Sequence, residues 1–213
     1  MIRSSSAQGI GKSREPVASL PATITSVRRF FPAAAAVIGL GVLMLGSSLA
    51  SGQAKDVPLK EVPPDVPDTI QAPAGEEVVL YAHASGWQIY TCQAAADGKF
   101  SWIHKAPEAE LHDRKDKVIR QHSAGPTWKL KDGSEVTGKA AAHVDSLDAS
   151  SIPWLLVKVV GHAGNGLLTS VTTIQRVHTH GGQPPADGCD ASHKGDETKS
   201  SYTADYYFYA PAK

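Results

Sequence analysis

Two histidines separated by one residue, His178 and His180, have the clearest spacing for chemistry in this sequence. In a β-strand, residues i and i+2 point to the same side, so both imidazoles could reach one metal ion. A third ligand would have to come from another strand. The candidates for that ligand are His104, His112, His122 and Glu135. The pair therefore raises the hypothesis of a divalent metal site.

The residues that follow the pair argue against a metal site. Gly181-Gly182 comes directly after His180 and Pro184-Pro185 follows, so the strand can end before His180 and the two-residue period would no longer apply. Ligand spacing without a third partner is also a weak signal for metal. We expect no cofactor, with a divalent metal as the alternative.

A second candidate is His122, which precedes Ser123 and lies six residues before Trp128. A catalytic serine needs a base across space and an oxyanion hole, and Ser123 lies in no G-x-S-x-G elbow. Gly125-Pro126 is ordinary turn chemistry, and Trp128 is expected to begin a strand as a core residue. The residues around His122 therefore give no indication of nucleophilic catalysis.

Four tryptophans could form a stacking platform for a sugar or another planar ligand. They lie on four separate predicted strands, which favours the hydrophobic core for most of them and a surface position for one. These residues are Trp87, Trp102, Trp128 and Trp154. No phosphate-binding loop or dinucleotide fingerprint accompanies them.

The first 54 residues predict a secretory signal peptide. Five basic residues face the single acid Glu15, an apolar run covers residues 33–45, and small residues allow cleavage after Ala50 or Ala54. The apolar run is shorter than the roughly 20 residues that span a bilayer, which favours a cleaved signal peptide. An uncleaved membrane anchor is the alternative. Arg28-Arg29 before Phe30-Phe31 fits twin-arginine export, although Val27 stands where that signal prefers Ser or Thr, and both export routes stay open.

The neutral overall charge conceals an acidic mature chain. The sequence has 213 residues with 21 basic and 21 acidic side chains. Subtracting the five bases and one acid of the leader leaves 16 basic and 20 acidic residues, a net charge of −4 for residues 55–213. This balance excludes the basic surface that a nucleic-acid-binding protein needs. A hydrophobic fraction of 41% excludes global disorder.

Cys92 and Cys189 are the only cysteines, and both follow the predicted leader. Export would place them in an oxidising compartment, where two lone cysteines most simply form one disulfide. Neither belongs to a C-x-x-C redox motif or to a paired-cysteine zinc site. We predict a structural Cys92–Cys189 disulfide.

Short β-rich runs separated by turns follow the leader and predict an all-β fold. Residues 55–74 are rich in proline and form a linker or arm, and residues 75–213 form a single β-domain. Asp97-Gly98 and Asp132-Gly133 are hairpin signals, whereas Gly86 is expected to separate two strands. About eight to ten short antiparallel strands with little helix imply a β-sandwich or a barrel, and the pattern does not choose between them.

Several strings in one order resemble the domain-of-unknown-function 3455 family of secreted bacterial and fungal proteins. They cover about residues 75–210 and are GWQIYTC, W-x-x-x-A-P-E-A-x-L, GPTW, DGS-x-V, IPWLL, VTTIQRV, GG-x-P-P, GC and ADYYFY. The resemblance implies an exported β-rich domain and no established activity or catalytic residue. His122 and the turn before Trp128 fit the family pattern, whereas His178 and His180 depart from it. The resemblance therefore makes His122 and Trp128 the candidate ligand-binding residues.

Together these observations predict an exported protein, periplasmic or secreted, that is not an enzyme. Its predicted function is to bind a small ligand, a glycan or an envelope partner, with no nucleic-acid partner and no stable membrane span after cleavage. The alternative is a metal-dependent enzyme of the cupin-like type that uses His178, His180 and a third ligand at a barrel mouth.

Overall fold

A computed structural model describes residues 60–213 of the chain. The predicted signal peptide and the first residues of the proline-rich segment lie outside this range. Eight antiparallel strands close into a barrel in the order β1 to β8, with β8 pairing back onto β1. The strands are β1 (Glu76–Ala94), β2 (Phe100–His112), β3 (Val118–Ser123), β4 (Thr127–Leu130), β5 (Glu135–Val144), β6 (Trp154–Ala163), β7 (Thr173–Gly181) and β8 (Glu197–Pro211). The all-β prediction is confirmed, and the architecture is a barrel.

Helical structure within residues 60–213 is limited to three short 3₁₀ segments. These are Asp68–Ile70, Leu167–Ser170 and Ala191–His193. The described part of the chain contains no helix with the length and apolarity to cross a bilayer. Both predicted hairpin turns are present: Gly98 N–H donates to the Ala95 carbonyl at 3.0 Å, and Gly133 N–H to the Leu130 carbonyl at 3.2 Å.

The predicted strand break at Gly86 is wrong, because β1 runs without interruption for 19 residues. A Cβ at Gly86 would lie 2.2 Å from the Glu108 carbonyl oxygen and 2.5 Å from the Ala109 Cα. Glycine is therefore required here for the close approach of β2, and not for a turn. β2 is likewise continuous from Phe100 to His112.

Alternate residues of each strand face the lumen and form the main core. In β8, Tyr206 and Phe208 belong to this core, whereas Tyr207 and Tyr209 point to the opposite face. The sequence predicts this alternation, with two rings inside and two outside. All four side chains are nevertheless buried, because the outer wall at this point is itself covered.

The proline-rich segment before β1 provides that cover. Ile70 is fully buried in a second apolar cluster with Tyr207, Tyr209 and Trp154, and its carbonyl accepts a hydrogen bond from Gln175 Nε2 at 2.7 Å. Further along the same wall, the Arg114 guanidinium lies 3.4 Å from the Tyr81 ring centroid and pairs with Glu61 of the segment at 2.8 Å. These contacts fasten residues 61–72 to the outside of the barrel.

One disulfide joins Cys92 at the end of β1 to Cys189 in the connection between β7 and β8. The two residues are 97 positions apart, and Cys92 is fully buried. In the same connection, the Asp187 carbonyl accepts a hydrogen bond from Trp102 Nε1 at 3.0 Å. The predicted disulfide is confirmed, and it ties this long connection to β1.

Candidate functional site

A cavity of about 390 Å³ lies in the barrel lumen, beside His122 and Trp128. Seven of its lining residues carry side-chain groups that form hydrogen bonds. These are Gln88, His104, Lys105, His122, Trp128, Arg176 and Tyr206. Other parts of its wall are apolar: Pro107, Pro126, Leu155 and Val157. A mainly apolar cavity with a few convergent polar groups is the usual form of a small-molecule site.

His122 is held as a neutral imidazole. It lies on β3, and its Nδ1–H donates to the Thr127 carbonyl at 2.9 Å, which leaves Nε2 as an acceptor. Complete burial lowers the pKa of His122 to about 3, and the positive charge of Arg176 contributes in the same direction. His122 therefore presents an acceptor, and not a charge, at neutral pH.

His104 and Gln88 form the second polar pair of the cavity. Since the amide oxygen of Gln88 can only accept, His104 Nε2 donates to Gln88 Oε1 at 2.7 Å. Burial lowers the pKa of His104, and the charge of Arg176 lowers it further, so this ring is also neutral. The bond directs the amide oxygen of Gln88 to His104 and leaves its Nε2 group without a partner.

Four buried polar atoms around the lumen have no hydrogen-bond partner within residues 60–213. They are Gln88 Nε2, Trp128 Nε1, Tyr202 OH and Tyr206 OH. Tyr202 lies close to Gln88 and Tyr206, and Tyr206 lies close to Arg176, but none of these contacts reaches hydrogen-bond geometry. Burial raises the pKa of both tyrosines, so their hydroxyls stay protonated and can donate. An unsatisfied buried polar group costs about 1–3 kcal/mol. Several such groups around one cavity indicate that a bound molecule or water satisfies them.

Arg176 brings a positive charge into the same cavity. It lies on β7 opposite Tyr206 of β8 and Leu155 of β6, and its guanidinium donates to the Pro153 carbonyl at 2.8 Å from Nη2 and at 3.3 Å from Nε. No aspartate or glutamate lies within 4.0 Å of its nitrogens among residues 60–213. Nothing in the local sequence of Arg176 indicates an inward position.

The structure does not bring His178 and His180 together around a common point with a third ligand. His178 lies at an irregularity of the β7–β8 pairing and has a positive φ of 49°, whereas His180 is opposite Thr203. Of the proposed third ligands, His104 and His122 line the lumen, and Glu135 pairs with Lys129 at 3.2 Å. Within the described residues no group of three or more His, Cys, Asp or Glu side chains is arranged to hold a metal ion.

His178 instead belongs to a hydrogen-bonded cluster on the outer wall that is centred on Asp205. Asp205 Oδ2 accepts from His178 Nδ1 at 3.0 Å, and Oδ1 accepts from His83 Nδ1 and Tyr81 OH, both at 2.8 Å. Burial raises the pKa of Asp205, but these hydrogen bonds outweigh it and hold the pKa below its usual value. The cluster joins β1, β7 and β8, and its members are too distant in sequence for any local pattern to predict it.

A second depression, of about 950 Å³, lies on the outer wall. The strand registers place one row of outward side chains across five strands there: His180, Thr203, Ser85, Glu110 and Gln121. Trp87, which is 44% exposed, lies in the next row opposite Glu108 and Ser201. The expectation of one surface tryptophan is met by Trp87, whereas Trp128 and Trp154 are buried.

Residues 73–210 match the sequence family DUF3455, which is described as a protein of unknown function. No curated protein and no solved structure matches the chain.

Proposed function

Because the chain belongs to the DUF3455 family, whose description assigns no activity, we propose its function from the site alone: it binds a small, partly apolar molecule in the barrel lumen. The observation that carries this proposal is the set of buried atoms that line the cavity without a partner in residues 60–213, on Gln88, Trp128 and Tyr206. A bound molecule with acceptor atoms would satisfy these donors, while the apolar wall residues would cover its body. The cavity volume of about 390 Å³ falls in the range of sites for small molecules.

The lining of the cavity favours binding over catalysis. It contains no Ser, Thr, Cys, Asp or Glu side chain, and its one lysine, Lys105, is in an ion pair with Glu197. Burial lowers the pKa of His122 to about 3, which makes its free Nε2 a weak base at neutral pH. The proposed role is therefore that of a carrier or sensor of the ligand.

A neutral aromatic probe tests the lumen site. We expect 2-naphthalenemethanol to bind with one-to-one stoichiometry in isothermal titration calorimetry. Ala140→Phe places a ring on the cavity wall and should weaken binding at least tenfold, whereas Val160→Phe, on a side chain outside the cavity, should leave it unchanged. Equal affinity in both variants would remove the lumen from consideration.

We also propose that the protein works outside the cytoplasm, in the periplasm or after secretion. The disulfide supports this location, because disulfides form and persist in oxidising compartments. Mass spectrometry of the exported protein should find a mature N-terminus at Ser51 or Lys55. Changing Arg28 and Arg29 together to lysine should block export if the twin-arginine route is used and leave it intact if the general route is used. A full-length protein in the cytoplasm with reduced cysteines would contradict the proposal.

A second candidate function, binding of a neutral oligosaccharide, is favoured by the outer depression. The row from His180 to Gln121 crosses five strands, a length of about 19 Å at the usual strand spacing. Its hydroxyl, amide and carboxylate groups can hydrogen-bond sugar hydroxyls, and the exposed face of Trp87 can pack against a sugar ring. Cellohexaose, xylohexaose and chitohexaose are suitable probes.

The oligosaccharide proposal makes its own prediction. Trp87→Ala should abolish binding to whichever of the three sugars the unmodified protein binds, while Tyr206→Phe in the lumen should leave that binding unchanged. If none of the sugars binds at millimolar concentration, or if Trp87→Ala binds like the unmodified protein, the outer wall is not a glycan site.

A further inference from the structure

Among residues 60–213, the guanidinium of Arg176 in the lumen has no counter-ion. This observation supports an inference beyond the proposed function. We infer that the lumen ligand carries a negative charge, as a carboxylate or a similar small oxyanion, and that this group pairs with Arg176. The inference rests on the proposed function, since it names the chemical class of the molecule that the cavity binds. The reasons are the position of Arg176, the charges around it and the polarity of the neighbouring groups.

The position of Arg176 directs it to the cavity. Its register partners on both sides, Leu155 and Tyr206, line the same cavity, so its side chain belongs to the lumen. A guanidinium has five N–H donors and cannot be deprotonated in a protein. Nε and Nη2 both donate to the single carbonyl of Pro153. Tyr206 lies close to the guanidinium, but no hydrogen bond within residues 60–213 engages the remaining donors, which leaves capacity for a two-oxygen acceptor.

No charge within the described residues neutralises Arg176. The cavity lining contains no carboxylate, and its other cation, Lys105, already forms an ion pair with Glu197. The two lining histidines are neutral, and the field of Arg176 contributes to the lowering of the pKa of each. Arg176 is half-buried, and partial removal of a charge from water is costly unless the charge is paired, so this lumen favours an anion.

The neutral polar groups of the cavity also favour a ligand with acceptor atoms. Trp128 Nε1 and Gln88 Nε2 are donors only, and neither has a partner within residues 60–213. The hydroxyl of Tyr206 is protonated and can also donate. Against these donors and Arg176, the two neutral histidines offer one free acceptor each, His122 Nε2 and His104 Nδ1. A ligand with acceptor oxygens would satisfy most of this set, whereas a cationic or donor-rich ligand would not.

The apolar side of the cavity indicates the chemistry of the rest of the ligand. Pro107, Pro126, Leu155 and Val157 offer only hydrocarbon surface. A small monocarboxylate with a flat or branched apolar body fits this division between a donor-rich, positive side and an apolar side. A free inorganic anion would leave the apolar wall unused.

Two probes of equal shape test the inference. We expect 2-naphthoate to bind the purified exported protein at least tenfold more tightly than 2-naphthalenemethanol, because only the carboxylate pairs with Arg176. The advantage should shrink as NaCl is raised from 0.02 to about 1 M, since salt screens the charge pair but not the apolar contacts. Arg176→Met should abolish the advantage, and Arg176→Lys should retain only part of it, because lysine keeps the charge but not the two-pronged geometry.

The outcomes separate this inference from the proposed function. If the alcohol binds as tightly as the naphthoate, the lumen site stands and the anion inference is wrong. If neither probe binds, the lumen proposal itself fails. If Arg176→Met does not fold, the comparison of the two probes on the unmodified protein, with its salt dependence, still decides the inference.

Discussion

The imidazole of His122 lies flat against the indole of Trp128, with ring centroids 4.3 Å apart and planes inclined by only 13°. The two residues are cross-strand partners on β3 and β4, and Tyr206 of β8 meets both rings edge-on at 5.2 and 5.6 Å. The stack thus joins strands from opposite parts of the barrel. It also fixes the edge of the lumen where the unpartnered indole N–H of Trp128 lies.

The buried neutral state of His122 predicts that stability falls on acidification. Its pKa is about 3 in the folded protein and about 6.5 when unfolded, so the unfolded chain binds more protons between these values. Lowering the pH from 7 to 5 should therefore cost about 2 kcal/mol through this residue.

Urea unfolding at pH 7 and pH 5 measures this loss. The loss of stability between pH 7 and pH 5 should be about 2 kcal/mol smaller in His122→Phe, which keeps an aromatic ring against Trp128. His143→Phe, a change at an exposed histidine, should retain the full loss. Equal pH dependence in the two variants would show that His122 is not the responsible group.

Tyr206→Phe should leave the unfolding free energy unchanged or raise it by about 1 kcal/mol, because it removes a buried hydroxyl that has no partner within residues 60–213. Tyr209→Phe is the matched control on the same strand. The Tyr209 hydroxyl donates to Gln175 Oε1, so its loss should cost about 1 kcal/mol. Chemical denaturation without ligand compares the two. A greater loss in Tyr206→Phe than in Tyr209→Phe would mean that the Tyr206 hydroxyl is satisfied in the free protein.

Ile70→Ala should destabilise the domain by about 2–4 kcal/mol, the usual cost of truncating a fully buried isoleucine. Val62 lies in the same segment but is 75% exposed, so Val62→Ala should change stability by less than about 0.5 kcal/mol. Thermal unfolding measured by circular dichroism distinguishes the two variants. Similar midpoints for both would indicate that the segment before β1 does not hold the outer wall in solution.

Gly86→Ala should destabilise by about 3 kcal/mol or more, because the added methyl group meets the backbone of Glu108 and Ala109, which cannot rotate away. Gly98→Ala is the comparison: its Cβ would meet nothing within 4 Å, and only the positive φ of 81° opposes it, at about 1 kcal/mol. Expression yield and unfolding midpoint measure both changes. Equal effects would contradict the close approach of β1 and β2.

Replacing Cys92 and Cys189 together with alanine should lower the unfolding free energy by up to about 4–5 kcal/mol, as expected for a crosslink that closes a loop of nearly a hundred residues. The measurement is urea unfolding of the variant beside the unmodified protein, with and without reductant. Reductant should shift the unmodified protein toward the variant and leave the variant unchanged. A variant as stable as the oxidised protein would exclude a stabilising role for the bond.

The sequence predicts two residues of the candidate site but not the others that line it. The family pattern pointed to His122 and Trp128, and these two residues are adjacent and line the lumen. Arg176 follows a β-rich run that gives no sign of which alternate face is inward. The partners of His178 were equally hidden: Asp205 is 27 positions away and His83 is 122 positions from Asp205.

Local sequence patterns predict the all-β class, the two hairpin turns at Gly98 and Gly133, and the pairing of Cys92 with Cys189. Each of these depends on local pattern or on residue count: a two-residue period, a dipeptide that accepts positive φ, and two cysteines in the whole sequence. The closure of the sheet, and the side chains that meet inside it, follow from long-range strand pairing. Closure depends on the pairing of β1 with β8 across the full length of the domain, and contacts across a lumen leave no trace in the spacing of residues along a strand.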